Sequence, residues 1–491
     1  MKVSINKYLM FGIFLIGAML FITNNVKAQD NEIAITTSSQ EAREQFITGR
    51  DHMENARYEE ARVSFTNAIN EDPGFALAHL YLALSAPTEV EFHQHLQHAL
   101  DNKSDVSEGE QMMIDAIQAS ANNKLNQSIE TWGKLVERYP EDKRAHQYLG
   151  IAYLYAKHDQ KAIDAFDKAI SLDNNYAPAY NLLGYAYKET GDYDNAENAF
   201  KKYVNLLPNE ANPHDSIADL YTKMGQHQDA INHYEKAVQI NPKFDFSQQK
   251  IGNNLVFMGK YDEARKAYKK AQKMASTDAA RINHMKLIAH SYLYEGNYDR
   301  ALTAAKDALQ MSKKKNLPEM TASIYSEMCD IYLAKGDLEK AKRTAEKCGD
   351  DIQATDLPDQ VKEYYAKKVL FHEAIIAAKG KNFDQALKIA DTYHDHVMED
   401  ENPLDVENYH SLFGYIHFEK GDFEHAITEF QQANQSNPHV LYHLALAYSE
   451  IGNDEAASKY FDKAANWNEH SIEYALIRTK AQNANHKMME N

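Results

Sequence analysis

Small and aromatic residues recur along this chain at fixed offsets. After Gly150 comes Tyr153 at offset 3, then Ala162, Phe166 and Ala169 at offsets 12, 16 and 19. Thirty-four residues on, the frame returns as Gly184, Tyr187, Ala196, Phe200 and Tyr203, with Pro208 at offset 24. It continues as Ala218, Tyr221, Ala230, Tyr234, Ala237 and Pro242, then as Gly252, Ala264, Tyr268 and Ala271. Gly49, Ala61, Phe65 and Ala68 carry it upstream; Gly414, Ala426, Phe430 and Ala433, then Ala445, Tyr448, Ala457 and Phe461, carry it downstream. Offsets 0 and 3 share one face of a first helix, and 12, 16 and 19 form a stripe on a second, so each unit predicts a helix hairpin. Gly191-Asp192, Gly336-Asp337 and Gly421-Asp422 supply a glycine to end the first helix and an acid near the start of the second. Pro73, Pro140, Pro208, Pro242 and Pro438 end the second helix, which proline cannot continue. A lone hairpin cannot bury its apolar face, so neighbours must stack.

These residues resemble the tetratricopeptide repeat family over nearly all of 40–468, in about twelve units. The resemblance implies an all-α, right-handed superhelical solenoid of helix-turn-helix repeats. The expected plan is a flexible stretch at 29–39, regular repeats over 40–276, longer-spaced degenerate repeats over 277–401, two regular repeats over 402–468, and a capping helix and tail over 469–491. The unit led by Ala83 offers His95, Ala99 and Asn102 to the stripe, so its second helix is expected to be displaced or irregular.

By the same resemblance, the chain is a non-enzymatic scaffold that binds a peptide or partner protein in a concave groove lined by its first helices. The family's groove positions fall here on Gln147, Ile151, Tyr155, Asn181, Tyr185, Lys188, Asp219, Lys223, Gln249, Asn253, Phe257, His290 and Tyr294. Asparagine can bond a bound backbone through both donor and acceptor, and tyrosine gives contact area at low entropic cost. Tyr155, Tyr185 and Tyr294 could equally pack between neighbouring first helices. If they line a groove, replacing Asn181, Tyr185 and Asn253 with alanine should weaken binding while leaving melting nearly unchanged. Chaperone-docking members pair a lysine with an asparagine one turn on; this chain has Gln147 with Ile151, Asn181 with Tyr185, and Asp215 with Asp219 instead.

Composition agrees with a folded array. There are 19 glycines and 11 prolines in 491 residues, below the usual roughly 7% and 5%, and 44% of residues are hydrophobic. Lys plus Arg number 53 against 72 Asp plus Glu, a net charge of −19 that opposes binding to nucleic acid or an anionic membrane. At the start, Lys2 and Lys7 precede an apolar run from Tyr8 to Ile22, and Val26-Lys27-Ala28 offers small residues to a signal peptidase. Residues 1–28 therefore read as a signal peptide, which implies export to the periplasm or beyond and no membrane span once it is cleaved.

Candidate chemistry is sparse. No GxSxG, P-loop, HExxH or strand-linked GxGxxG occurs, so no catalytic residue, cofactor or resident metal is expected. The rival reading is a small-ligand or metal role for the irregular histidine-rich unit, where His95 and His98 share a helix face and His93 points away. His394 and His396, beside Glu399, read as a solvated loop. Cys329 and Cys348 take the small positions at offsets 0 and 19 of one unit. An antiparallel hairpin leaves them about 4.5 Å out of axial register, which favours two buried thiols over a bridge.

Overall fold

A computed structural model describes residues 32–490 apart from Ala56, Pro87, Asn123, Glu401 and Asn402. The expected signal peptide lies outside these residues. The described chain forms twenty-five α-helices. In order they begin α1 Gln40–Met53, α2 Tyr58–Glu71, α3 Ala76–Leu84, α4 Glu89–Asp101, α5 Glu108–Ala121, α6 Leu125–Arg138, α7 Lys143–Tyr155 and α8 Asp159–Leu172. There follow α9 Ala177–Thr190, α10 Tyr193–Leu206, α11 Ala211–Lys223, α12 His227–Ile240, α13 Asp245–Phe257, α14 Tyr261–Met274, α15 Asp278–Tyr294 and α16 Tyr298–Lys314. The last are α17 Pro318–Lys335, α18 Leu338–Gln353, α19 Asp359–Lys379, α20 Phe383–Asp400, α21 Pro403–Lys420, α22 Phe423–Gln432, α23 Pro438–Glu450, α24 Asp454–Ala465 and α25 Ile472–Glu490. No helix among the described residues is long and apolar enough to cross a membrane.

The chain divides into two compact units. One holds the residues up to Leu220 together with 239–241; the other holds 221–238 and everything from Pro242 on. Within each, consecutive helices pair as hairpins, such as α7 with α8, α9 with α10, α13 with α14 and α23 with α24. Successive hairpins then stack, α8 on α9 and α14 on α15.

The offset pattern has a direct steric cause. A β-carbon at Gly150 would lie 2.4 Å from the Phe166 ring, and one at Gly252 would lie 2.4 Å from the Tyr268 ring. The aromatic at offset 16 thus rests on the bare backbone of offset 0, and the two positions are a single contact. At the turns, Gly191 has φ 79°, a left-handed conformation that glycine adopts without a side-chain clash, and its N–H bonds the Lys188 carbonyl. Helices α5 to α14 have 13 or 14 residues, whereas α15 to α20 run from 16 to 21.

The second hairpin departs from the expected form in its first helix. Helix α3 has only nine residues, while α4 is a regular thirteen-residue helix capped by the Thr88 hydroxyl. Its buried positions are Leu96 and Ala99, and Asn102 lies past the helix end. His95 and Asn102 are polar, so Leu96 takes the apolar slot and the stripe shifts by one residue. Ahead of α1 the chain is extended and tied down. The Ile33 N–H donates to Asp142 Oδ2 at 3.1 Å and the Thr36 N–H to Glu110 Oε1 at 2.8 Å.

Candidate functional site

In the N-terminal unit, α7 presents Arg144, Gln147, Tyr148, Ile151 and Tyr155 on one face by three- and four-residue steps. They border a cavity of about 80 Å³ completed by Glu54, Tyr81 and Tyr176. One buried water needs roughly 10–15 Å³, so the space admits a small side chain. Arg144 closes one side through a two-pronged bond to Glu54, at 2.6 and 3.3 Å, with each side chain 19% exposed. Gln147 is buried and accepts a hydrogen bond from the Tyr176 hydroxyl. Burial pushes the Tyr155 hydroxyl up to about 12, so it stays a neutral donor at any physiological pH. The arrangement is an aromatic-walled pocket with a hydrogen-bonding rim, of a size and character suited to a small apolar group.

The neighbouring expected residues are structural. Asn181 is fully buried, and Tyr185, 3% exposed, donates its hydroxyl to Asp219 Oδ2 at 3.0 Å. Tyr185 also stacks edge-on against Phe200, and Lys188 Nζ lies 4.8 Å from its ring centroid. Tyr185 and Asp219 join α9 to α11, and Asn181 is buried rather than facing outward. Alanine at Asn181 and Tyr185 would therefore lower melting, contrary to the sequence expectation.

In the C-terminal unit the expected groove residues are covered by the chain's own end. Lys223 pairs with Glu469 and lies 5.1 Å from the Trp467 ring, and its carbonyl accepts from Asn468 Nδ2 at 3.3 Å. His290 stacks on His470 with centroids 5.5 Å apart. The Tyr294 hydroxyl bonds the Ser471 carbonyl at 3.3 Å. Phe257 lies 6.2 Å from the Tyr474 ring, while Arg478 donates to the Val256 and Phe257 carbonyls at 3.3 and 2.7 Å. Tyr474, Ile477 and Ala481 of α25 share one hydrophobic core with Val256, Leu287 and Tyr294. Helix α25 therefore does more than cap α24. Two groove positions turn inward instead: Gln249 is buried, and Asn253 accepts from the Tyr268 hydroxyl at 2.9 Å.

Charge beneath this contact is ordered. Burial opposes ionisation of Glu327, but Lys286 at 2.7 Å and His290 at 3.1 Å overcome it and pull the carboxyl down to about 2. Burial, helped by His290, pushes His470 down to about 3, which keeps its ring neutral.

The histidine-rich unit keeps His95 and His98 together with His93 apart, and α3 adds a third histidine to them. His79 of α3 comes within 3.2 Å of His95, Nδ1 to Nδ1, and stacks on His98 at 4.9 Å, while His93 lies edge-on to Phe92. His394 and His396 lie on α20, not in a loop, with the His394 ring 4.5 Å from Tyr409. Among the described residues, one group of three His, Cys, Asp or Glu ligand atoms converges: His417, Asp422 and His425. Sequence reading missed it because Gly421-Asp422 served only as a turn signal. Cys329 and Cys348 are buried free thiols that donate to different carbonyls, Ala341 and Ala322, each at 3.5 Å.

Stacked helix hairpins with glycine-on-aromatic contacts define a repeat scaffold of the kind used for protein–protein interaction. Tetratricopeptide repeat models match residues 143–176, 177–210, 216–244, 247–314, 408–440 and 438–471. The chain belongs to the tetratricopeptide repeat family. Among solved structures it is similar to the MamA protein, at 27% identity over 34% of this chain and 91% of that one, with a TM-score of 0.29. It is also similar to YrrB, described as a TPR protein with an unusual peptide-binding site, at 20% identity over 38% of this chain and 94% of that one, with a TM-score of 0.29. A tetratricopeptide repeat protein from Parabacteroides merdae is similar at 15% identity over 58% of this chain and 98% of that one, with a TM-score of 0.35. No curated protein matches the chain. The family assignment rests on the repeat matches and the hairpins.

Proposed function

We propose that the chain is an exported adaptor that binds a peptide or partner protein through the α7 face of its N-terminal unit. The observation that carries this reading is the cavity beside Gln147, Ile151 and Tyr155, where aromatic walls and a hydrogen-bonding rim meet. The C-terminal unit supports it from the other side. There the chain's own residues 467–478 place Trp467, His470, Tyr474 and Arg478 against first helices, a display of the side chains such a face accepts. Export rests on Lys2, Lys7, the run from Tyr8 to Ile22 and the small residues before Gln29. The acidic balance of the whole chain favours a neutral or basic partner over nucleic acid.

The test is the double variant I151A/Y155A in the full chain, expressed with its own leader. It should lose at least tenfold of whatever co-purifies with the wild type while its melting temperature stays within about 2 °C. Undiminished co-purification would remove the α7 face from the account. The mass of the mature protein tests the export reading, because a chain beginning at Gln29 is expected and one retaining Met1 would contradict it.

A further inference from the structure

We propose that His417, Asp422 and His425 form a binding site for a divalent transition-metal ion, with zinc the best-suited ion. The three ligand atoms lie within 4.8 Å of one another at the turn between α21 and α22. Asp422 stands between the two rings, with Oδ2 3.1 Å from His417 Nδ1 and Oδ1 2.8 Å from His425 Nδ1. Zinc holds nitrogen and oxygen ligands at about 2.0–2.2 Å, which sets tetrahedral ligand atoms roughly 3.3–3.6 Å apart. The two imidazole nitrogens approach different oxygens of the one carboxylate, each slightly inside that spacing, so taking up the ion needs the carboxylate to turn one oxygen between the rings as the rings close in. His425 is 72% exposed and free to make that movement.

The backbone holds the ligands in place. Gly421, at φ 83°, ends α21, its N–H bonding the Phe418 carbonyl at 3.0 Å while the Asp422 N–H bonds the His417 carbonyl at 2.9 Å. This pair of bonds locks the last turn of α21 against the first turn of α22. Two imidazoles and one carboxylate match the ligand preferences of zinc, and three protein ligands leave a coordination position for water or for a partner's side chain.

The other hairpins act as an internal control. Where this turn has His417, Asp422 and His425, four of them have Tyr187, Asp192 and Asn195; Tyr292, Asn297 and Arg300; Tyr332, Asp337 and Lys340; and Tyr448, Asn453 and Ala456. The scaffold needs neither histidine, so both are surplus to folding at this turn.

Chelator-stripped full-length protein titrated with zinc chloride in a calorimeter provides the test, with H425A and D422N alongside. The wild type should bind one zinc ion more per chain than either variant, or bind that ion at least tenfold more tightly. Zinc should also raise its melting temperature more than that of H425A, with the two equal in the absence of metal. Because His425 is exposed, H425A leaves the fold intact, and the remaining histidines contribute equally to all three titrations. Identical stoichiometry and affinity in the wild type, H425A and D422N would overturn the proposal.

Discussion

In the unit that ends at Leu220, Ile151 and Tyr155 border a cavity. In the unit that follows, Phe257, His290 and Tyr294 lie beneath Ser471, Tyr474, His470 and Arg478 of the same chain. The same offsets and the same glycine-on-aromatic packing build both. The repeat therefore fixes that an inner face exists and not what fills it. The occupant depends on whether another stretch of chain reaches that face, and Lys223 with Glu469 shows how far along the sequence that stretch lies, 246 residues.

The contrast can be broken most strongly at Tyr474, which is 1% exposed and donates its hydroxyl to the Ala465 carbonyl at 2.8 Å. Y474A should cost about 3–5 kcal/mol, the usual loss for a large buried side chain, and hydrogen exchange should show the loss confined to the C-terminal unit. Next is R144A, which leaves Glu54 unpaired beside the cavity. A fully buried pair would cost about 3–5 kcal/mol, and residual exposure lowers this to roughly 2–3 kcal/mol, read by chemical denaturation of the N-terminal unit.

Acid should loosen the C-terminal contact before the N-terminal face. His470 sits near 3 when folded and titrates near 6.5 when unfolded. Its contribution is thus complete above pH 6.5 and falls by at most about 1.4 kcal/mol per pH unit towards pH 3. Glu327, held at about 2, adds a contribution with the same dependence, complete above roughly pH 4.5 and lost as the pH falls towards 2. His290 and Glu327 are the ionisable groups that act on the ring, so H470F should flatten the upper part of this dependence. Hydrogen exchange of residues 467–478 at pH 7 and pH 5 reads it. The smallest effect on stability, under about 1 kcal/mol, is expected for Y155A, whose side chain is only half-buried at the cavity rim.

Much of the fold was legible because its contacts are local. Gly150 and Phe166 are sixteen residues apart, so their spacing is visible along the chain. The contact of the segment leading into α25 with α15 leaves no comparable trace: Tyr294 and Ser471 are 177 residues apart, and Ser471 lies beyond the helices of the last repeat. Family positions located Tyr155 and Ile151 at a cavity, but the same rule placed Asn181 and Tyr185 on the groove although they are buried. A first helix shows one face to its own partner and another to the next hairpin, and the offset alone does not separate the two. The convergence of His417 with His425 depends on the turn geometry at Gly421, which a residue count across the turn does not convey.

The most direct measurement places a photo-crosslinking phenylalanine analogue at Tyr155 in one full-length variant and at Phe257 in another, each irradiated in the native compartment. The account predicts intermolecular adducts from position 155 and intramolecular adducts to residues 467–478 from position 257. A partner captured from position 257, with none from 155, would contradict it.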